Sequence, residues 1–235
     1  MSNLSLNKKT RGQKHDIVEE IHNHNILLES REIFIHGDFG SEEDPAVDFR
    51  MANKFLKNIR LLEQTGDHPI IVHQHSLGGF WDAGMIMYDA ILHSPCHIIF
   101  IMHGTACSMG SIIPQAADTR IVMPNCTFMV HTGYTDIGGH TYKQSQSWAE
   151  MEKRQTEKML DIYSGVAVHG SYFQAGRMDD KKVRKFLMSK MDQKEDWWLF
   201  AEDIVKYGFA DAILGDKKYE TIDTIRDTII NEQSS

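Results

Sequence analysis

The run Ile98-Ile99-Phe100-Ile101-Met102 narrows the fold more than any other stretch of the chain. Five consecutive apolar residues have no polar side. As a strand they must be covered on both faces, which is the condition of a strand inside a parallel sheet. They are far too few for the roughly 20 residues of a membrane-spanning helix. Ile33-Phe34-Ile35-His36 and Ile70-Ile71-Val72 read as strands of the same sheet, and Arg120 to Met123 and Thr127 to His131 as later ones. Between them the apolar spacing turns helical. Ala52, Phe55, Leu56, Ile59 and Leu62 predict an amphipathic helix over residues 46–64, with Asp44-Pro45 as its start signal. Trp81 to Leu92 predicts a second helix, with Met85, Tyr88, Ile91 and Leu92 on one side. Strands alternating with helices define an α/β fold with a parallel core sheet.

Composition excludes several alternatives. The chain has 235 residues, 41% hydrophobic and 25% charged, so wholesale disorder, collagen-like fibres and a disulfide scaffold are ruled out. With 25 Lys+Arg against 33 Asp+Glu and no basic stripe, nucleic acid is not the expected partner. Three cysteines without a CxxC pair read as reduced thiols of a cytoplasmic protein. Met1 to His15 is polar and basic and lacks the apolar core of a signal peptide. We expect a flexible arm over residues 1–25, with a short helix around Asp16 to Ile21, a main domain over 26–223 and a tail over 224–235 that could form a fraying helix. The Gly-rich break Gly133 to Tyr142 leads into a long helix, Lys143 to Tyr163. Its face of Trp148, Met151, Gln155, Met159, Ile162 and Tyr163 is set among dense charge, which fits either packing on a partner or lying on its own domain. Asp179 to Met188 and Ala201 to Tyr207 predict further helices, and Phe209 to Leu214 a closing strand.

Three segments carry the chemistry. In His103-Gly104-Thr105-Ala106-Cys107-Ser108-Met109-Gly110 a serine follows an apolar strand and opens a helix. The positive end of that helix and its free amides favour a developing anion, as a nucleophile's attack requires, although serine is also a common helix cap. The spacing is not that of the G-x-S-x-G hydrolases. The Gly78-Gly79 pair leaves backbone amides bare, either as donors to a substrate carbonyl or as a plain tight turn. His131 ends an apolar strand at the edge of a Gly-rich loop, in position for a general base or as a simple polar terminus. His73 and His75 point to one face and could form half a metal site, but no third ligand stands at a convincing spacing, so no metal is expected. Cys107 next to Ser108 reads as a small buried thiol rather than a nucleophile. There is no phosphate-binding G-x-x-x-x-G-K-[ST] loop.

Together, Gly104-Thr-Ala-Cys-Ser108-Met-Gly110, the Gly78-Gly79 turn and Pro124-Asn125 leading to His131 resemble ClpP, the proteolytic subunit of the Clp protease. The similarity runs on through Ala83-Gly84-Met85 and Tyr88-Asp89, ends in the segment Glu202 to Leu214, and covers roughly residues 31–214. It implies a ClpP/crotonase-like β-β-α spiral with a projecting long handle helix, the handle region covering about 132–164. It implies a serine endopeptidase that cleaves unfolded polypeptides inside stacked rings of identical subunits. No metal or organic cofactor is implied, nor any nucleic acid or membrane partner, and the expected partner is an AAA+ ATP-driven unfoldase. Matched residue by residue, Ser108 takes the nucleophile's place, His131 the base's, and Gly79 and Met109 supply the oxyanion-hole amides. Counting back from Tyr207-Gly208 through Ala201 puts the third triad member on Asp192, with Asp196 as its rival. Three features depart from the family pattern. Leu77 replaces the usual proline before the two glycines, no arginine adjoins Asp192, and the loop Thr132 to Tyr142 lacks the common His-Gln-Pro sequence. A crotonase-type acyl-CoA enzyme and a catalytically silent ring component are the alternative readings.

Overall fold

The computed structural model of the chain describes residues 17–37, 46–133 and 141–233. Its organising strand is β4, Ile98–Cys107, which forks between two neighbours. The other strands are β1 (Ile26–Leu27), β2 (Glu32–Gly37), β3 (Ile70–Ser76), β5 (Thr119–Val122), β6 (Thr127–Val130), β7 (Trp197–Phe200) and β8 (Ala212–Ile213). The first half of β4 pairs in parallel with β5, Ile99 facing Thr119. Its second half pairs in parallel with β6, Cys107 facing Met129. The described strands run in the order β1-β2-β3-β4-β5-β8, with β6 branching from β4 and β7 antiparallel on β6.

The apolar run behaves as its composition requires. Every residue from Ile98 to Met102 is completely buried. Ile98, Phe100 and Met102 enter the main core, while Ile99 and Ile101 enter a second cluster with Ile71, Ile121, Ile225 and Ile229. The strand is longer than expected. Beyond Met102 the chain stays extended through Gly104 (φ +54) to Cys107. Thr105 to Cys107 find hydrogen-bonding partners in β6, which no local periodicity announces.

The helices are α1 (Phe49–Gln64), α2 (Trp81–Leu92), α3 (Met109–Ile112), α4 (Tyr142–Ala167), α5 (Ser171–Ala175), α6 (Asp180–Lys194), α7 (Ala201–Lys206) and α8 (Ile222–Gln233). Helix α1 starts three residues later than the sequence suggests. Asp48 caps it, accepting from the Met51 N–H at 2.9 Å, and Asp44-Pro45 lies outside the described residues. Helix α2 has the expected bounds, but its buried face is Ala83, Gly84, Met87, Tyr88 and Ile91, and Leu92 is exposed. Helix α4 opens on a reciprocal cap between Thr141 and Gln144. The expected closing strand is short: Ala212–Ile213 form β8, the flanking Asp211 and Leu214 amides donate to the Arg120 and Val122 carbonyls, and Phe209 is buried, stacked on Phe128 with ring centres 5.2 Å apart. Of the expected arm, residues 1–16 lie outside the described set. Glu20–His24 form a π-helical turn whose His24 carbonyl accepts from Asn58 at 2.7 Å. No described helix is long and apolar enough to cross a membrane.

Candidate active site

Ser108 stands on the turn between β4 and α3 with φ +53 and ψ −125, a conformation that residues other than glycine rarely adopt. Such strain persists only where the surroundings hold it. The Ser108 N–H donates to the Met129 carbonyl at 3.0 Å, so β6 grips one side of the turn. On the other side the Ser108 carbonyl accepts from the Ser111 N–H at 2.8 Å. The Gly78-Gly79 turn presses against it from a third direction. A Cβ on Gly78 would lie 2.6 Å from Ser108 Cβ and 3.0 Å from the Met109 nitrogen, so only glycine fits there.

Gly79 is excluded from carrying a side chain by a different neighbour, the Val47 carbonyl, 2.3 Å from where its Cβ would stand. Val47 donates to the Gly78 carbonyl at 3.1 Å and accepts from the Phe80 N–H at 2.8 Å, so the Gly79 N–H takes no part in this pairing. The Met109 N–H is the first of its helix and has no intrahelical acceptor. Two backbone donors therefore flank the serine turn.

His131 follows directly on β6, and its Nε2 lies 2.8 Å from Ser108 Oγ. Its Nδ1 lies 3.3 Å from Asp196 Oδ1. The imidazole side chain is only 12% exposed, against 38% for the Asp196 carboxylate. With the carboxylate at Nδ1, the ring proton belongs there and Nε2 is left to accept from the serine hydroxyl.

The expectation of Asp192 at this place is corrected by the register of one strand pair. In the β6–β7 pairing Val130 faces Trp197. The residue after Val130 and the residue before Trp197 are thereby brought opposite each other, and these are His131 and Asp196. Asp192 sits in the last turn of α6, exposed, four residues too early. Helix α6 runs on to Lys194 and ends at Glu195 with φ +56, so β7 begins almost at once. The run Trp197-Trp198-Leu199-Phe200, aromatic and aliphatic after the polar stretch Asp192 to Asp196, is the sequence signal that could have located this strand and with it the aspartate; in the structure its residues are alternately buried and exposed.

The thiols near the site are poor nucleophiles. Burial pushes Cys107 above its ordinary value and Cys126 up to about 12, and the three cysteines are free and buried. His73 does not pair with His75 around a shared centre. Its Nδ1 lies 3.0 Å from His103 Nε2, its Nε2 3.1 Å from Glu32, and its ring stacks on Phe34, while His75 is exposed. Among the described residues no group of three or more histidine, cysteine, aspartate or glutamate side chains is arranged to hold a metal ion. Burial, reinforced by neighbouring imidazoles, lowers His103 to about 4.

Comparison with known proteins agrees with this architecture. A family model described as Clp protease matches residues 13–217. The ATP-dependent Clp protease proteolytic subunit 2 of Pseudomonas aeruginosa is 26% identical over 197 residues, covering 83% of this chain and 86% of the relative. The corresponding subunit of Streptococcus suis is 28% identical over 199 residues, covering 82% of this chain and 88% of the relative. Among solved structures, a point mutant of ClpP1 from Listeria monocytogenes superposes with a TM-score of 0.64. The alignment covers 83% of this chain and 97% of that one at 20% identity, a likeness of fold that agrees with the expected ClpP-like spiral and its long helix. Since the family model spans nearly the whole described chain, from before β1 to beyond β8, the chain belongs to the Clp protease family.

Proposed function

We propose that the chain is a serine peptidase in which Ser108, His131 and Asp196 act as one catalytic unit. The observation that carries this reading is the 2.8 Å approach of His131 Nε2 to Ser108 Oγ, with a carboxylate on the opposite ring nitrogen. His131 takes the Ser108 proton as Oγ attacks the peptide carbonyl, and returns it to the leaving amine. Asp196 fixes the tautomer and stabilises the imidazolium that forms. The amides of Gly79 and Met109 receive the negative charge on the carbonyl oxygen. Water, activated by His131, then releases the acyl group from Ser108. Every step uses side chains and amides of this chain, and none calls for a metal or an organic cofactor.

The relatives are named as proteolytic subunits of an ATP-dependent protease. By analogy, this chain cuts unfolded polypeptides inside stacked rings of identical subunits in the cytoplasm, fed by an AAA+ unfoldase. The exposed apolar residues of α4 suit the contact between rings.

The test is labelling by a fluorophosphonate, run beside hydrolysis of a fluorogenic peptide. The parental chain should label at one serine, and Ser108→Ala should abolish both labelling and turnover. Asp196→Asn should lose about 10³-fold or more in kcat, as expected where the tautomer of the base is misassigned. Asp192→Asn should stay within about twofold, as surface changes do. A parental chain that neither labels nor cuts peptides would identify it as a silent ring component.

A further inference from the structure

A hydroxyl of the long helix is hydrogen-bonded to the turn that carries Ser108. Tyr163, in the buried C-terminal half of α4, has its Oη 2.6 Å from Ser111 Oγ, and its ring stands edge-on to Phe209 at 5.6 Å. Ser111 Oγ in turn lies 2.7 Å from the Ser108 carbonyl oxygen. A carbonyl only accepts, and a serine hydroxyl has one proton to give. That proton goes to Ser108, so Ser111 Oγ receives its second bond from Tyr163. The direction of the chain follows: Tyr163 Oη–H donates to Ser111 Oγ, and Ser111 Oγ–H donates to the Ser108 carbonyl. Burial raises the Tyr163 phenol above its ordinary value, so it remains a donor throughout the working pH range.

What this chain holds is one end of a rigid unit. The Ser108–Met109 peptide is planar and trans, so its C=O and N–H point in opposite directions. The ψ of Ser108, −125 in a rarely occupied region, sets how that plane is turned. Drawing the carbonyl towards Ser111 aims the Met109 N–H to the other side. The bonds from the Ser111 and Ile112 amides, 2.8 and 3.3 Å, are those any helical turn would make. The two hydroxyls are additions specific to these side chains.

We propose that Tyr163 is a positioning residue that acts through Ser111 to lock the Ser108–Met109 peptide with its N–H aimed at the oxyanion. This rests on the serine-peptidase reading above. It also ties α4 to the catalytic apparatus through the Ser111 hydroxyl.

Tyr163→Phe tests it, because the ring and its contact with Phe209 remain and only the hydroxyl leaves. An oxyanion donor removed outright costs about 10²–10³ in kcat, so one left in place but unsteadied should cost roughly tenfold. KM should change by less than about twofold, because the donor acts on charge that develops only in the transition state. A peptide boronate, which forms a tetrahedral adduct on Ser108, should bind more weakly by the same factor as kcat falls, and a product-length peptide should bind as before. Ser111→Ala should reproduce the effect, and combining the two should add nothing beyond Ser111→Ala alone. A parental kcat in Tyr163→Phe, a loss confined to KM, or independent losses that multiply in the double variant would each overturn the relay. Failure of the parental chain to label or hydrolyse overturns the peptidase reading instead, and separates the two.

Discussion

The two ends of the long helix α4 are built from the same kind of sequence and have opposite fates. At the N-terminal end Tyr142, Trp148 and Met151 are 76%, 45% and 40% exposed, among residues that are mostly in water. At the C-terminal end Met159, Leu160, Ile162 and Tyr163 are buried against the core, and Tyr163 is hydrogen-bonded to Ser111 behind the Ser108 turn. Ion pairs from Arg184 of α6 to Glu157 and Asp161 mark the boundary between the two. A single amphipathic stripe thus supplies an outward surface along one half and part of the domain's interior along the other. The difference teaches that an apolar face on a charged helix carries no label saying what it packs against. The neighbours do, and here they change midway along the helix.

Breaking the exposed end should have the largest effect. Trp148→Glu with Met151→Glu places two charges on a surface of the sort that usually marks a contact. We expect light scattering to show the proposed ring assembly splitting into smaller units, with the proposed peptidase activity falling alongside. A particle of unchanged mass would show that this end of α4 serves its own subunit, and the contrast between the two ends would collapse. Breaking the buried end should act on stability instead. Leu160 is completely buried, and Leu160→Ala should cost about 2–5 kcal/mol in denaturant unfolding. The folded fraction should assemble as the parent does, and a change in particle mass would show that the two ends are not separable.

The smallest expected effect comes from a control region on the β2–β3–β4 part of the sheet. His103 is lowered to about 4 by burial and neighbouring imidazoles, so between roughly pH 6.5 and 4 the unfolded chain binds a proton there that the folded chain does not. Stability is therefore lost as pH falls through that window. Burial alone would raise the neighbouring Glu32, but the hydrogen bonds and charges of His73, Ser30 and Arg226 outweigh it and hold the carboxylate below its usual range, which also favours the fold above that range and is lost in acid. Thermal unfolding should show the decline in the parent and a shallower one in His103→Gln. Equal slopes would remove His103 as its source.

Much of the site was legible because its signals are local. Apolar residues from 98 to 102 could only be a doubly covered strand, Trp81–Leu92 is a helix by its own periodicity, and a serine opening a helix and a histidine ending a strand are visible without a structure. The third partner was not legible by counting along the chain. It depended on how far α6 runs and on the pairing of β7 with β6, which sets His131 opposite Asp196 and leaves Asp192 in solvent. Strand register is fixed by contacts between segments about 70 residues apart, and a shift of one residue would turn each side chain to the other face.

The sequence by itself determined the α/β class, the covered central strand, and a serine opening a helix and a histidine ending a strand, because propensity and hydrophobic period act between near neighbours in the chain. Only the tertiary structure decided the extension of β4 to Cys107, the placing of Asp196 rather than Asp192 beside His131, and the bond from Tyr163 to Ser111 that ties the long helix to the Ser108 turn. Each of these is a hydrogen bond or ion pair between distant segments. Such a contact forms only after the sheet and its helices have brought its two halves together, and nothing in either half alone specifies the other.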